Sequence, residues 1–388
     1  MTSDEGPNAN APWLRPQSAY IHIPFCAHHC GYCDFAIAVR QEHQIELYLD
    51  ALAAELGTLG ESRPVQTIFL GGGTPTLLNA GQLERLLATI NRWLPLSTTG
   101  EFSVEANPGT LDAEKVAVLA DRGVNRVSLG AQSFEPRLLA VLERDHAPAD
   151  VPRAVDLVKR RFKNVSLDLI FGVPGQTLAE WQADLDQALA LEPDHVSTYG
   201  LTYEKGTPLW KDWKRGAVQP LDEETERAMY SFAMETLEAC DFEHYEISNF
   251  ARPGYRCRHN EVYWANHAYY GFGMGAARYV NGRREINTRD LQGYMRKVLS
   301  DESAIFQSEE LPPDERARET MAQNLRRAEG INRHAFREQT GIDLDVLVGS
   351  ALARHKVLDL LTDDEATVRL TRQGKYVADA VIEGLWCG

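Results

Sequence analysis

Short runs of β-branched and aromatic residues alternate with amphipathic stretches along the first half of the chain. The short runs predict strands, and the stretches between them, with apolar residues three and four positions apart, predict helices. This alternation is typical of βαβ units, so it predicts an α/β fold with a parallel sheet, closed as a barrel or layered as a doubly wound fold. The predicted strands lie at 19–23, 67–71, 101–106, 126–130, 165–172 and 195–203, and the predicted helices at 45–59, 80–94, 112–122 and 178–191.

The alternation ends near residue 222, where a long helical pattern over 222–241 leads into a short strand-like run at 244–248. The segment 250–285 follows, and its many Gly, Arg, His and aromatic residues predict a loop. The segment 309–388 has helices and a hairpin of its own, which predicts a separate small helical, winged-helix-like domain. Its helical patterns lie at 313–327, 343–356 and 372–386, and its strand-like stretches at 357–363 and 367–371.

The charge balance narrows the functional classes. The chain has 388 residues, with 40 basic and 56 acidic side chains and a formal net charge of -16. This charge argues against a nucleic-acid binder, because such proteins need a basic face toward the phosphates. The first residues contain no apolar signal-peptide core, and no run approaches the roughly 18 apolar residues of a membrane span. Six cysteines without an export signal favour a reducing, cytoplasmic setting in which clustered thiols bind a metal.

The strongest chemical signal is a cysteine cluster directly after the first predicted strand, where Cys26, Cys30 and Cys33 are spaced C-x3-C-x2-C. Three thiolates on one tight loop can bind three corners of a 4Fe–4S cluster, because soft sulfur ligands suit iron–sulfur chemistry. The next candidate position holds Phe35, so one iron would be open to an exchangeable ligand. A zinc site of three cysteines and one histidine also stays open, completed by His22, His28 or His29.

Polar groups follow the ends of several predicted strands. Because the active site of a parallel α/β barrel gathers where its strands end, we expect these groups to face one site. Taken singly, a glycine run is a tight turn, a carboxylate a helix cap and an arginine a solvated surface charge. Together they suit a small zwitterion that carries amino, carboxylate and hydroxyl groups, such as S-adenosylmethionine (SAM). The groups are GGGTPT at 71–76, Glu105, Gln132, Arg144 and Asp168.

These motifs resemble those of the radical SAM superfamily, and within it the HemN/HemW group of oxygen-independent coproporphyrinogen oxidases and their relatives. The cysteine spacing, GGGTPT, EANPG, GAQSF and DLIFGVPGQT carry the resemblance, which runs from about residue 18 to the C-terminus. It implies a partial parallel (β/α)6 barrel over 18–250, an extension over 251–308 and a HemN-type C-terminal domain over 309–388, after a flexible N-terminus over 1–17. It also implies a 4Fe–4S cluster on the three cysteines. The SAM contacts that it implies are Tyr20, Tyr32, Gly72, Gly73, Thr74, Glu105, Gln132, Arg144, Asp168, Thr202 and Ala277.

Two features favour one branch of this group. Phe35 stands where the oxidases carry a fourth cysteine, in C-x3-C-x2-C-x-C, and HNEVYW at 259–264 matches the HNxxYW signature of the HemW branch. This resemblance implies a heme chaperone, which binds heme and passes it to acceptor proteins, respiratory enzymes among them. It also implies a homodimer and a peripheral membrane association without a membrane span.

The HNxxYW motif places a histidine among aromatic residues, which is typical of heme contacts. His259 is then the candidate axial ligand for heme, and Cys257 is a conceivable thiolate ligand. A purely structural role for His259, as an anchor of a loop against the barrel, stays open. The alternative function is an oxygen-independent coproporphyrinogen III oxidase, which decarboxylates propionate side chains by radical SAM chemistry.

Overall fold

Strands and helices alternate through the computed structural model, which describes residues 11–387. All six strands predicted for the first half of the chain are present, with ends that shift by a few residues. The strands are β1 Ser18–Ile23, β2 Phe25–Cys26, β3 Ala38–Val39, β4 Val65–Gly72, β5 Leu96–Ala106, β6 Arg126–Gln132, β7 Val165–Phe171, β8 His195–Gly200, β9 Glu243–His244, β10 Asn249–Ala251, β11 Tyr270–Phe272, β12 Ala277–Val280, β13 Arg283–Asn287, β14 Ile305–Glu310, β15 Ile331–Asn332, β16 Leu361–Asp363 and β17 Thr367–Leu370.

The helices begin at local capping signals. Asn79 and Thr177 each accept a hydrogen bond from the backbone N–H three residues later, and the side chain of that later residue accepts one in return. Such capping boxes pair N–H groups that the first turn leaves free. The helices are α1 Ile45–Gly57, α2 Ala80–Trp93, α3 Ala113–Asp121, α4 Pro136–Val141, α5 Asp150–Lys159, α6 Leu178–Ala190, α7 Pro208–Lys214, α8 Glu223–Ala239, α9 Arg258–Trp264, α10 Leu291–Leu299, α11 Pro313–Leu325, α12 Arg333–Thr340, α13 Leu344–Val357, α14 Arg372–Tyr376 and α15 Ala378–Trp386, with short 3-10 helices at Glu42–Gln44, Pro75–Leu77 and Pro108–Thr110.

The central sheet confirms the predicted α/β class. Its order is β11-β1-β4-β5-β6-β7-β8-β10-β9, and the six strands from β1 to β8 within it are parallel neighbours in chain order. Strand β11 adds a parallel strand at one edge, and β10 and β9 add antiparallel strands at the other. One continuous apolar core fills the space between this sheet and its helices. The chain therefore contains the six parallel strands of the predicted partial barrel.

The segment 250–285 is not the predicted loop, and that prediction is wrong. It contains helix α9, strand β11 and the start of a separate antiparallel sheet of β12, β13 and β14. Charged residues crowd the last two strands, and the side chains of β14 are mostly exposed. Without a buried apolar face these strands lack the period-two alternation from which strands are predicted. Helices α4, α5, α7, α10 and α12 also lie outside the predicted helices.

The two ends of the chain are both tied into structure, the first through backbone hydrogen bonds and the last through an apolar core. Residues 11–17 belong to the predicted flexible N-terminus, yet the Ala268 N–H donates to the Pro12 carbonyl and the Asn281 N–H to the Leu14 carbonyl. Residues 1–10 of that segment lie outside the described residues. Helices α11, α12, α13 and α15 surround an apolar core of their own beside the antiparallel sheet β15-β17-β16. The final helix is split at Val377.

Across residues 11–387, no helix combines the length and the apolar character that crossing a membrane requires.

Candidate functional site

A cavity of about 490 Å³ opens where the parallel strands of the sheet end. The strand ends deliver polar groups to it because the βα loops of a parallel barrel converge on that side. Most of the sequence-predicted residues meet here, whereas Tyr20, Ala277 and His259 line neighbouring cavities. The predicted residues that line the main cavity are Cys26, Cys30, Tyr32, Cys33, Gly72, Gly73, Thr74, Glu105, Gln132, Arg144, Asp168 and Thr202.

The cysteine loop is closed and tied to the barrel by backbone hydrogen bonds. Strand β2, which ends at Cys26, pairs in parallel with β3. At the other side of the loop the Gly31 N–H donates to the Leu142 carbonyl at 3.1 Å, and the Gly31 carbonyl accepts from the Leu209 N–H at 2.8 Å. Arg144 donates to the Cys30 sulfur at 3.5 Å. The loop therefore holds its thiols against the wall of the cavity, beside a cation.

Burial favours the protonated form of two of the thiols, Cys26 and Cys33. Burial raises the pKa of Cys26 to about 11 and the pKa of Cys33 to about 12. Thiolates, not thiols, are the metal ligands, so loading a metal cluster here releases protons and becomes more favourable as pH rises.

The residues present fit an iron–sulfur cluster with an adjacent small ligand. All three thiols are free and partly exposed to the cavity, and the Nε atom of Arg144 is buried without a hydrogen-bond partner among residues 11–387. Cys26, Cys30 and Cys33 would hold the cluster, and the strand-end groups would bind SAM. When bound, these two groups supply one-electron reductive chemistry, and the chain binds, orients and shields them.

The zinc alternative finds less support in the geometry. Among residues 11–387, no three Cys, His, Asp or Glu side chains are arranged to hold a single metal ion. The Nε2 atom of His22 donates to the Ala36 carbonyl at 2.7 Å, and that of His29 pairs with the Cys33 carbonyl at 3.0 Å. Two of the three histidines considered as a fourth zinc ligand, His22 and His29, thus each have a ring nitrogen paired with a backbone carbonyl.

The glycine run brings strand β4 against the cysteine loop. Gly72 has a φ of 110°, and a Cβ at this position would overlap the His22 ring. A Cβ at Gly73 would lie 2.7 Å from the Pro24 carbonyl carbon. Since only glycine avoids both the strained φ and the overlap, the run is required by this close approach. Gly72 and Gly73 line the cavity, and their N–H groups are paired with Glu105 and with the Ile23 carbonyl.

Three serine hydroxyls hold the buried carboxylate of Asp168 in place. Asp168 accepts hydrogen bonds from Ser128 at 2.9 Å, from Ser197 at 2.7 Å and from Ser166 at 3.3 Å. Burial raises the pKa of Asp168, and the serine donors together with buried Arg126 oppose that rise. The sequence analysis missed Ser128, Ser197 and Arg126. A polar residue inside each otherwise apolar strand run was the signal that could have identified them.

We expect SAM affinity to depend on pH through Glu105. Burial raises the pKa of this carboxyl to about 7, although it accepts the Gly72 N–H at 3.0 Å. The predicted role of Glu105 is to accept the SAM ammonium group, for which it must be ionised, so we expect the affinity to fall as pH drops through about 7, by roughly tenfold per unit below it. Calorimetric titration of the cluster-loaded protein between pH 6 and 8 tests this. Glu105→Gln should bind SAM more weakly with a flat profile; an unchanged profile in that variant contradicts the assignment.

Helix α9, which carries the HNxxYW motif, is anchored to the barrel by a carboxylate. Glu101 accepts the N–H groups of Arg258 at 3.0 Å and of His259 at 3.1 Å, at the N-terminus of the helix. Cys257 is also buried, with its sulfur 3.7 Å from Glu101. A carboxylate in this position pairs otherwise free N–H groups and complements the helix dipole.

The His259 ring has no free nitrogen in this structure. Its side chain is fully buried, Nδ1 pairs with the Thr67 hydroxyl at 2.8 Å, and Nε2 pairs with the Tyr263 hydroxyl at 2.9 Å. Iron ligation by His259 would therefore require the loss of one of these bonds. This placement favours the structural role that the sequence left open.

Removing the Glu101 carboxylate should destabilise the fold. Glu101→Ala leaves two N–H groups of α9 without their charged partner, which costs about 3 kcal/mol in the free energy of unfolding. Urea unfolding, compared with Glu61→Ala at an exposed surface position, measures the difference. Equal stability of the two variants would show that Glu101 does not anchor the motif.

Comparison with known proteins agrees with this geometry. The family model of the radical SAM superfamily matches residues 20–188, and the HemN C-terminal domain matches residues 311–377. The heme chaperone HemW of Bacillus subtilis (strain 168) is 40% identical over 94% of this chain and 98% of the relative. The heme chaperone HemW of Escherichia coli (strain K12) is 34% identical over 95% of this chain and 98% of the relative.

A solved structure shares the fold. Coproporphyrinogen III oxidase (HemN) from Escherichia coli, described as a radical SAM enzyme, aligns with a TM-score of 0.84 over 97% of this chain and 91% of that chain, at 22% sequence identity. At this identity the likeness establishes the architecture. The full-length identities to HemW proteins settle the family: this chain belongs to the HemW family of radical SAM proteins.

Proposed function

We propose that the protein is a heme chaperone, which binds heme and passes it to acceptor proteins. Identity of 40% and 34% over nearly the full length of proteins named heme chaperone HemW carries this proposal. Cys26, Cys30 and Cys33 hold a 4Fe–4S cluster, and SAM binds in the adjoining cavity at the strand ends. The exposed side chain of Phe35, at the rim of this cavity, supports the chaperone because the oxidases carry a cysteine at that position.

An oxygen-independent coproporphyrinogen III oxidase is the second candidate. The fold similarity to HemN from Escherichia coli favours it. In that case the cavity would accept coproporphyrinogen III and the chain would decarboxylate two propionate groups.

One anaerobic experiment separates the two candidates. Reconstituted protein is titrated with heme, and a parallel sample receives coproporphyrinogen III, SAM and a reductant. We expect about one tightly bound heme per chain and no protoporphyrinogen IX. Catalytic formation of protoporphyrinogen IX would assign the protein to the oxidases, and a protein that neither binds heme nor forms product would contradict both proposals.

We also propose heme acceptors, a cellular location and an oligomeric state for the protein. We infer that the acceptors are heme-requiring enzymes, respiratory ones among them, which the protein meets from the cytoplasm through a peripheral membrane association. We also infer a homodimer that depends on the cluster. Light scattering of reconstituted and cluster-free samples tests the dimer: loss of the cluster should halve the molar mass, and equal masses would contradict it.

A further inference from the structure

A smaller cavity lies inside the barrel, beside the cavity that the cluster cysteines line, and we call the two the inner cavity and the cluster cavity. The inner cavity encloses about 260 Å³, and each of the six parallel strands from β1 to β8 contributes at least one residue to its wall. It shares Glu105 and Asp168 with the cluster cavity. These two carboxylates, which the sequence predicts as SAM contacts, therefore face both cavities.

Arg126 is a buried cation in the wall of the inner cavity. Its side chain is 2% exposed, and its Nε atom is buried without a hydrogen-bond partner among residues 11–387. An arginine keeps its charge in proteins, and a buried charge without a partner is costly. Arg126 is also the one Arg or Lys among the described residues that lines this cavity. Its charge must therefore be balanced by the anionic groups around it.

Carboxylates balance Arg126 through space. Burial raises the pKa of Asp168 and of Glu105, and the charge of Arg126 opposes both rises. Glu101 also acts on Arg126 at a distance. These interactions involve no hydrogen bond to the guanidinium, so they leave the carboxylate oxygens to other donors. The Oε2 atom of Glu105 accepts the Gly72 N–H, while Oε1 accepts no hydrogen bond from residues 11–387 and is available to a ligand.

Most groups packed around the Glu105 carboxyl are uncharged near neutral pH. Tyrosine hydroxyls ordinarily titrate at about pH 10, and burial raises the pKa of Tyr20 and of Tyr263 further. Burial lowers the pKa of His259 to about 3, so its ring is neutral. Arg144 and Asp145 are charged but lie in the wall of the cluster cavity. The titratable or charged groups in the inner cavity with Glu105 are Tyr20 on β1, Arg126 on β6, Asp168 on β7, Tyr199 on β8, and His259 and Tyr263 on α9.

We propose that Arg126 is a positioning residue for SAM, whose unpaired guanidinium is the counter-charge that holds Glu105 and Asp168 in their anionic forms. SAM carries a positive ammonium and a positive sulfonium group, which anionic side chains attract. Arg126 does not line the cluster cavity, so it acts through the two carboxylates and not by contact with the cofactor. The inference rests on the SAM site of the proposed function and adds a residue that sets the charge of that site.

The pH dependence of SAM affinity in the cluster-loaded, full-length protein tests this role. Calorimetric titration between pH 6 and 9 gives the pH of half-maximal affinity, which we expect at about 7 in the wild type. In Arg126→Met it should rise by about one unit or more, because the carboxyls lose a cation that favours their ionised form. Affinity at pH 7 then falls roughly fivefold and recovers by pH 9. Arg126→Lys retains the charge and should keep the wild-type profile.

Two further variants keep the experiment decisive. Arg126→Met/Glu101→Gln removes the cation together with a neighbouring carboxylate, so the barrel interior stays closer to charge balance if Arg126→Met alone does not fold. Its pH of half-maximal affinity should also rise. Arg160→Met, at an exposed position at the end of α5, is the matched control and should leave the profile unchanged.

The outcomes separate this inference from the SAM site on which it rests. A wild-type protein that binds no SAM at any pH overturns both. If the wild type binds SAM and the Arg126 variants lose affinity equally at every pH, with the same pH of half-maximal affinity, Arg126 has a structural role only. In that case the inference is wrong and the SAM site stands.

Discussion

Cys30→Ala should abolish the iron–sulfur cluster while the chain stays folded. Cys30 lines the cavity with the other two loop cysteines and contacts Arg144, so its loss leaves two thiolates for a cluster that needs three. It does not belong to the apolar core, and its removal therefore costs little stability. We expect iron and sulfide to fall from about four each per chain to near zero, with loss of the broad visible absorbance.

The matched control is Cys240→Ala. Cys240 lies at the end of α8 and does not line the cluster cavity, so this variant should keep its full cluster. Circular dichroism of both variants establishes that they are folded. A complete cluster in Cys30→Ala would remove Cys30 from the ligand set.

Arg144→Met should cause the largest loss of SAM affinity. Arg144 is the one Arg or Lys among residues 11–387 that lines the cluster cavity, and it is held there by the Gly130 carbonyl at 3.0 Å. Its guanidinium would pair with the SAM carboxylate. Loss of one partner of such a buried charge pair costs about 2–5 kcal/mol, so the dissociation constant should rise by roughly 100-fold.

Calorimetric titration with SAM, on samples of equal iron content, measures this change. Arg153→Met, at a position where the side chain is 76% exposed, should bind SAM as the wild type does. A dissociation constant for Arg144→Met equal to that of this control would contradict a role for Arg144 in binding SAM.

The parallel sheet and most of the site were predictable because local sequence determines them. Strands such as Val165–Phe171 are mostly apolar, interrupted here by Ser166 and Asp168, and such apolar runs are typical of a sheet covered by helices. The cysteine spacing and the glycine run are also visible in the sequence, although the steric overlap that requires Gly72 and Gly73 is with His22 and Pro24, in a distant segment. Several of the strands carry a polar group at or near their ends, and parallel topology brings those groups to one side.

The features of the site that could not be predicted depend on contacts between segments that are distant in sequence. Asp168 is fixed by serines from β6 and β8, and no local pattern pairs them. The role of His259 follows from its bond to Thr67, which lies 192 residues away.

We claim that three cysteines hold a 4Fe–4S cluster and that SAM binds beside it. The most direct test of this claim is electron paramagnetic resonance of the reduced, reconstituted protein with and without SAM. Three cysteine ligands leave one iron open, and SAM bound at the strand ends would coordinate it. For the wild type we predict a reduced 4Fe–4S signal that changes shape when SAM is added. For Cys30→Ala we predict that this signal is missing. A wild-type signal that does not change at saturating SAM, or the absence of any iron–sulfur signal, would contradict this prediction.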